Sequence, residues 1–111
     1  MDKQSAIYVL RGQIQTFRDF HAPPANAKPE DRASTEVIVG LRLLCEALVM
    51  TLEDTTKAHA PMAFDKAYKC LFDITQRKGT PSEYIWIAGL CAGVAGAMKW
   101  LFFSKPPARS R

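Results

Sequence analysis

Few side chains in this sequence are able to do chemistry, and they stand apart from one another. His21 and His59 are its two histidines. Each lies next to a proline-containing break, where an imidazole at a helix end binds free carbonyls rather than moving a substrate's proton. Cys45, Cys70 and Cys91 are far apart and each has apolar neighbours. With no CxxC pair and no Cys/His spacing of the metal-ligand kind, they read as reduced thiols serving as small hydrophobes, which argues against an oxidising compartment. Arg42 and Glu46 are spaced i, i+4 on an expected helix, as in a surface ion pair. No glycine-rich phosphate loop, GxSxG elbow or HExxH helix occurs, and the acids are scattered rather than paired. The sequence is therefore read as non-enzymatic, with no catalytic, cofactor-binding or metal-binding residue assigned.

The elements matter more than any reactive group, and one dominates. Tyr84 to Phe103, YIWIAGLCAGVAGAMKWLFF, runs for 20 residues with a single charge, Lys99. A helix of that length rises roughly 30 Å, the thickness of a bilayer's hydrocarbon core. Tyr84 and Trp86 at one end and Trp100 at the other stand where interfacial aromatic belts form. Lys99 lies close enough to the end to carry its ammonium outward along its own stem. A helix in a small soluble domain keeps a polar stripe for water, and this one has none. Three companion helices cannot wrap it completely, so a membrane or a tight oligomer is expected to supply the rest. The stretch also carries two rows of small residues, Gly89, Gly93, Ala97 and Ala88, Ala92, Gly96. Rows of this kind let helix backbones approach closely in lipid.

Composition bounds the remaining readings. Hydrophobic residues make up 48% and charged residues 23%, ordinary for a globular chain, so only the placement of the apolar residues is unusual. Part of the net charge of +4 sits in Lys105, Arg109 and Arg111, directly after the apolar stretch. A basic tail beside a hydrophobic helix suits anionic lipid head groups. Nucleic acid is excluded as a partner, because Arg11, Arg18, Lys66 and Lys69 alternate with acids instead of forming a basic stripe. The N-terminal residues lack the apolar core of a signal peptide, and Asp2 argues against a transit peptide. Membrane targeting is then expected from the C-terminal helix. In layout, residues 80–111 resemble the tail anchors of mitochondrial or peroxisomal membranes.

Three amphipathic helices are expected before that stretch. The first covers about 3–20, with Ile7, Leu10, Ile14 and Phe17 recurring at helical spacing and Phe20 continuing the stripe. Gly12 in its interior either weakens it or marks a close approach. A Pro-rich linker, 21–33, follows, because Pro23, Pro24 and Pro29 bar a helix from running through. The second helix is placed at about 34–57, with Ser34 as N-cap, Glu36 in its first turn and a broad apolar face from Val37 to Leu52. The third is placed at about 61–78, opening at Pro61. Its inner face is read as Phe64, Tyr68, Leu71, Phe72 and Thr75, and its stop as Gly79. Thr80-Pro81-Ser82-Glu83 then reads as a capping box, starting the fourth helix with almost no linker.

The expected protein is all-α, with four helices: an amphipathic region, 1–79, a transmembrane helix, 80–104, and a basic tail, 105–111. The expected role is a non-enzymatic accessory or anchoring subunit of a membrane complex, single-pass, with the C-terminus leaning toward the cytoplasm or matrix. Its expected partners are other membrane subunits and an anionic bilayer. Gly89, Gly93, Ala97, Ala88, Ala92 and Gly96 would form its packing interface. Tyr84, Trp86, Lys99, Trp100, Lys105, Arg109 and Arg111 would be its interfacial anchors. The rival is a soluble helical bundle that homo-oligomerises through residues 80–103; a weaker third reading is a small pore.

Overall fold

A computed structural model describes residues 1–21, 23–24 and 26–103. The described residues form an all-α protein with four α-helices. These are α1 (Lys3–Phe17), α2 (Pro29–Leu52), α3 (Ala60–Gln76) and α4 (Ser82–Phe103), with a 3₁₀ turn, Lys57–His59, ahead of α3. Each helix lies mainly on its neighbour in sequence: α1 on α2, α2 on α3, and α3 on α4, with a narrower meeting of α2 and α4.

α1 begins at an Asp2 cap, whose Oδ1 accepts the Ser5 backbone N–H at 2.8 Å. Its apolar stripe turns Ile7 into α2. The helix stops at Phe17, short of the expected Phe20, because Arg42 of α2 reaches across to its end. Arg42 Nη1 donates to the carbonyls of Phe17, Arg18 and Phe20 at 3.3, 3.4 and 2.7 Å. Cationic capping of this kind satisfies carbonyls that have no partner within the helix.

α2 begins at Pro29, earlier than the expected Ser34, with Pro29, Glu30 and Asp31 in its first turn. A proline bars a helix from passing through it, yet suits the first helical position, where no N–H is needed. Ser34 is therefore inside α2, its hydroxyl donating to the Asp31 carbonyl at 3.0 Å. α2 ends at Leu52 rather than Lys57, and Glu53 is extended. The residues beyond it turn toward α1, where Glu53 meets Arg11 at 2.8 Å and Asp54 meets Lys3 at 3.5 Å.

The core lies between α2 and α3. Val39, Leu43, Leu44 and Ala47 pack with Ala60, Phe64 and Ala67, and Ala33 and Val37 pack with Leu71 and Ile74. Phe64, Leu71 and Ile74 are fully enclosed, each worth about 1.5–3 kcal/mol of burial. Gly40 makes the close approach: a Cβ there would fall 2.6 Å from Leu71 Cγ. At Gly12, by contrast, a Cβ would meet nothing within 4 Å. Tyr68 and Phe72, expected on the inner face of α3, are 38% and 43% exposed and stack on each other at 5.5 Å.

The α3–α4 joint is a tight turn closed by the Thr80 N–H on the Arg77 carbonyl at 3.4 Å. Gly79 sits at its third position with φ +90°, where an L side chain is strained. α4 starts at Ser82, and the capping box is not made: Thr80 Oγ1 is buried without a hydrogen-bond partner.

Candidate functional site: the outward side of the fourth helix

α4 is the one helix among the described residues long and apolar enough to cross a membrane. It is covered on one side only. Ala88, Ala92 and Ala95 are its buried residues, and their small size lets α3 lie close along it. The two run antiparallel. Phe64 meets Phe102 and Phe103 at ring distances of 6.5 and 6.1 Å. Further along, a Cβ at Gly96 would lie 3.8 Å from the Tyr68 ring, and one at Gly89 would lie 3.8 Å from Thr75 Cγ2.

The two rows of small residues thus have different surroundings. Ala88 and Ala92 are buried and Gly96 is half-buried. Gly89, Gly93 and Ala97 are exposed, and a Cβ at Gly93 would touch nothing within 4 Å. At 100° per residue Gly89, Gly93 and Ala97 share the outward side with Trp86, Leu90, Val94 and Trp100. Trp86 is 71% exposed and Trp100 63%, roughly 21 Å apart along the axis at the helical rise. Between them the outward side carries no charge.

The expected anchors are distributed unevenly. Tyr84 is half-buried against the cluster formed by Ala33, Val37, Leu71 and Ile74. Lys99 is engaged by α3, its Nζ donating to Asp65 Oδ1 at 2.8 Å. Lys105, Arg109 and Arg111 lie outside the described residues.

Arg42 and Glu46 form an ion pair at 3.7 Å, and Arg42 also caps α1, a second role its helical spacing does not reveal. One charged cluster escapes any reading of spacing. Glu36 is 8% exposed and receives both prongs of Arg77, which also bonds Asp73 at 2.7 Å. Glu36 and hydrogen bonding to Asp73 hold the Arg77 guanidinium above its ordinary pKa, against the opposing effect of burial. Arg32 Nε stands 3.3 Å from Glu36 but is not aligned to donate to it.

The three cysteines are free. Burial pushes the Cys45 and Cys70 thiols up, with Glu46 and Glu36 respectively adding to it, so neither is a ready nucleophile. Among the described residues no three His, Cys, Asp or Glu side chains gather to hold a metal ion. Comparison with family models, curated proteins and solved structures gave no match. The outward side of α4 is the feature on which a functional reading rests.

Proposed function

We propose that this protein is a non-enzymatic accessory or anchoring subunit of a membrane complex, held by α4 as a single C-terminal span. The observation that carries the reading is the charge-free outward side of α4 between Trp86 and Trp100. A continuous apolar surface of this extent calls for lipid or a partner protein. Charge distribution supports lipid: from Arg77 onward the chain has six basic residues and one acid, Glu83, whereas the preceding residues have nine basic and ten acidic. A basic flank is drawn to an anionic leaflet. Gly89, Gly93 and Ala97 would then receive a partner helix within the bilayer, while α1–α3 meet the rest of the complex. A mitochondrial or peroxisomal membrane is the proposed site, on the layout of residues 80–111.

The second reading is a soluble bundle that pairs through α4. It is favoured by the polar side of α3, with Asp65, Lys66, Lys69 and Asp73, which runs beside α4 in the folded chain. Carbonate extraction of cells expressing the full chain separates the two. Retention in the membrane pellet is expected, and release into the supernatant as a defined oligomer would establish the bundle instead.

A further inference from the structure

We infer that α3 is a releasable sheath for α4: the hairpin is the water-soluble form, and α4 swings away about the Gly79 turn when a bilayer receives it. The inference rests on the reading of α4 as a span. It follows from an incompatibility. α3 lies along α4 from Phe102 and Phe103 to Gly89. Were the closed hairpin to cross a membrane, Asp65, Lys66, Lys69 and Asp73 would sit at bilayer depth beside α4. Charges there are tolerated only when they face a protein interior or a water-filled cavity, and all four side chains are exposed, Asp65 even while it holds Lys99.

The packing is divided in a way that permits release. The fully buried residues of α4 are three alanines, with Tyr84, Cys91, Met98 and Phe103 packed more shallowly against the two clusters, while the large fully enclosed side chains belong to α3 and are shared with α2. The Glu36–Arg77 pair ties the end of α3 to α2 without involving α4. Among the described residues the polar tie between α3 and α4 is Lys99–Asp65, with side chains 40% and 51% exposed, and exposed pairs hold weakly. The joint favours movement as well. Thr80 Oγ1 is buried and unpaired in the closed hairpin, and turning α4 outward frees it to cap the Glu83 N–H as the local sequence dictates.

The test uses the full chain with Thr75→Cys and Gly89→Cys, in a background of Cys45→Ala, Cys70→Ala and Cys91→Ala. Oxidation then locks the hairpin where the two positions face each other. Each form is mixed with phosphatidylcholine–phosphatidylglycerol vesicles and scored for carbonate-resistant binding. The reduced form is expected to insert, and the oxidised form to lose insertion, with reducing agent restoring it. Equal insertion by both forms would overturn the sheath while leaving the span intact. Failure of the unmodified chain to insert would remove the span reading, and the sheath with it. Asp65→Lys, which sets like charges against Lys99, supplies an independent arm. It is expected to raise insertion, and unchanged or lower insertion would overturn the inference.

Discussion

Glu36 and Arg77, 41 positions apart, close on each other across the packing of α2 and α3, with Arg77 Nη2 donating to Glu36 Oε2 at 3.0 Å. Their side chains are 11% and 15% exposed, so neither has much water to fall back on. Removing one partner of such a pair strands the other charge. Glu36→Ala is therefore expected to cost about 2–4 kcal/mol of stability, read from the denaturant midpoint. Arg77's folded pKa is raised, so the stability it lends is fully present below its ordinary value and is lost only as pH rises through the folded one. The penalty of Glu36→Ala should thus be as large at pH 9 as at pH 7; disappearance at pH 9 would contradict the pair.

At the other end of the chain, Asp2 is held below the usual carboxylate range, first by the Ser5 backbone N–H and then by the Ser5 hydroxyl. A depressed folded value lends stability that is present above the ordinary carboxylate pKa and is lost as pH falls through the folded value. The protection of the Ser5 amide, taken relative to its intrinsic exchange rate at each pH, should therefore fall below about pH 4. Asp2→Asn keeps a capping oxygen and should flatten that dependence, whereas Asp2→Ala should fray α1 at every pH.

Gly40 faces Leu71, which is fully buried and has no room to yield. Gly40→Ala is expected to destabilise by about 1–3 kcal/mol through overpacking, outweighing the roughly 1 kcal/mol an alanine gains in a helix. A raised denaturant midpoint would show that the two helices do not pack this closely.

How much of this was readable beforehand depended on distance along the chain. The apolar run of α4 was legible because its length and lack of charge are local properties. So was the place of Pro61, which falls in the first turn of α3. The start of α2 is not fixed by local sequence, because Pro29 carries two meanings, barring one helix and opening another. The end of α2 is not fixed locally either, because Arg11 and Lys3, far back in sequence, pair with Glu53 and Asp54. Thr80 to Glu83 has the letters of a capping box, yet packing between α3 and α4 buries the hydroxyl before it caps. Which row of small residues would be covered was not decidable from α4 alone. The choice belongs to α3, which takes Ala88, Ala92 and Ala95 and leaves Gly93 bare.

That division makes Ala92 and Gly93 a matched pair for mutation. Ala92→Leu should wedge α3 away and cost about 1–3 kcal/mol. Gly93→Leu has open space and should leave the isolated fold intact, while weakening helix association in a bilayer, measured by cross-linking in vesicles. Equal loss of stability from both would contradict the orientation of α4.

The central claim is that the outward side of α4 is received by lipid, and the protein carries its own probes for it, since its two tryptophans are Trp86 and Trp100. Tryptophan fluorescence of the full chain should be measured in vesicles whose lipids carry bromine at graded depths. A span predicts quenching of both residues, stronger from bromines near the interface than from those at the bilayer centre, because each ring sits roughly 10 Å from the midplane. Emission unchanged from that in water, with no quenching at any depth, would contradict the account.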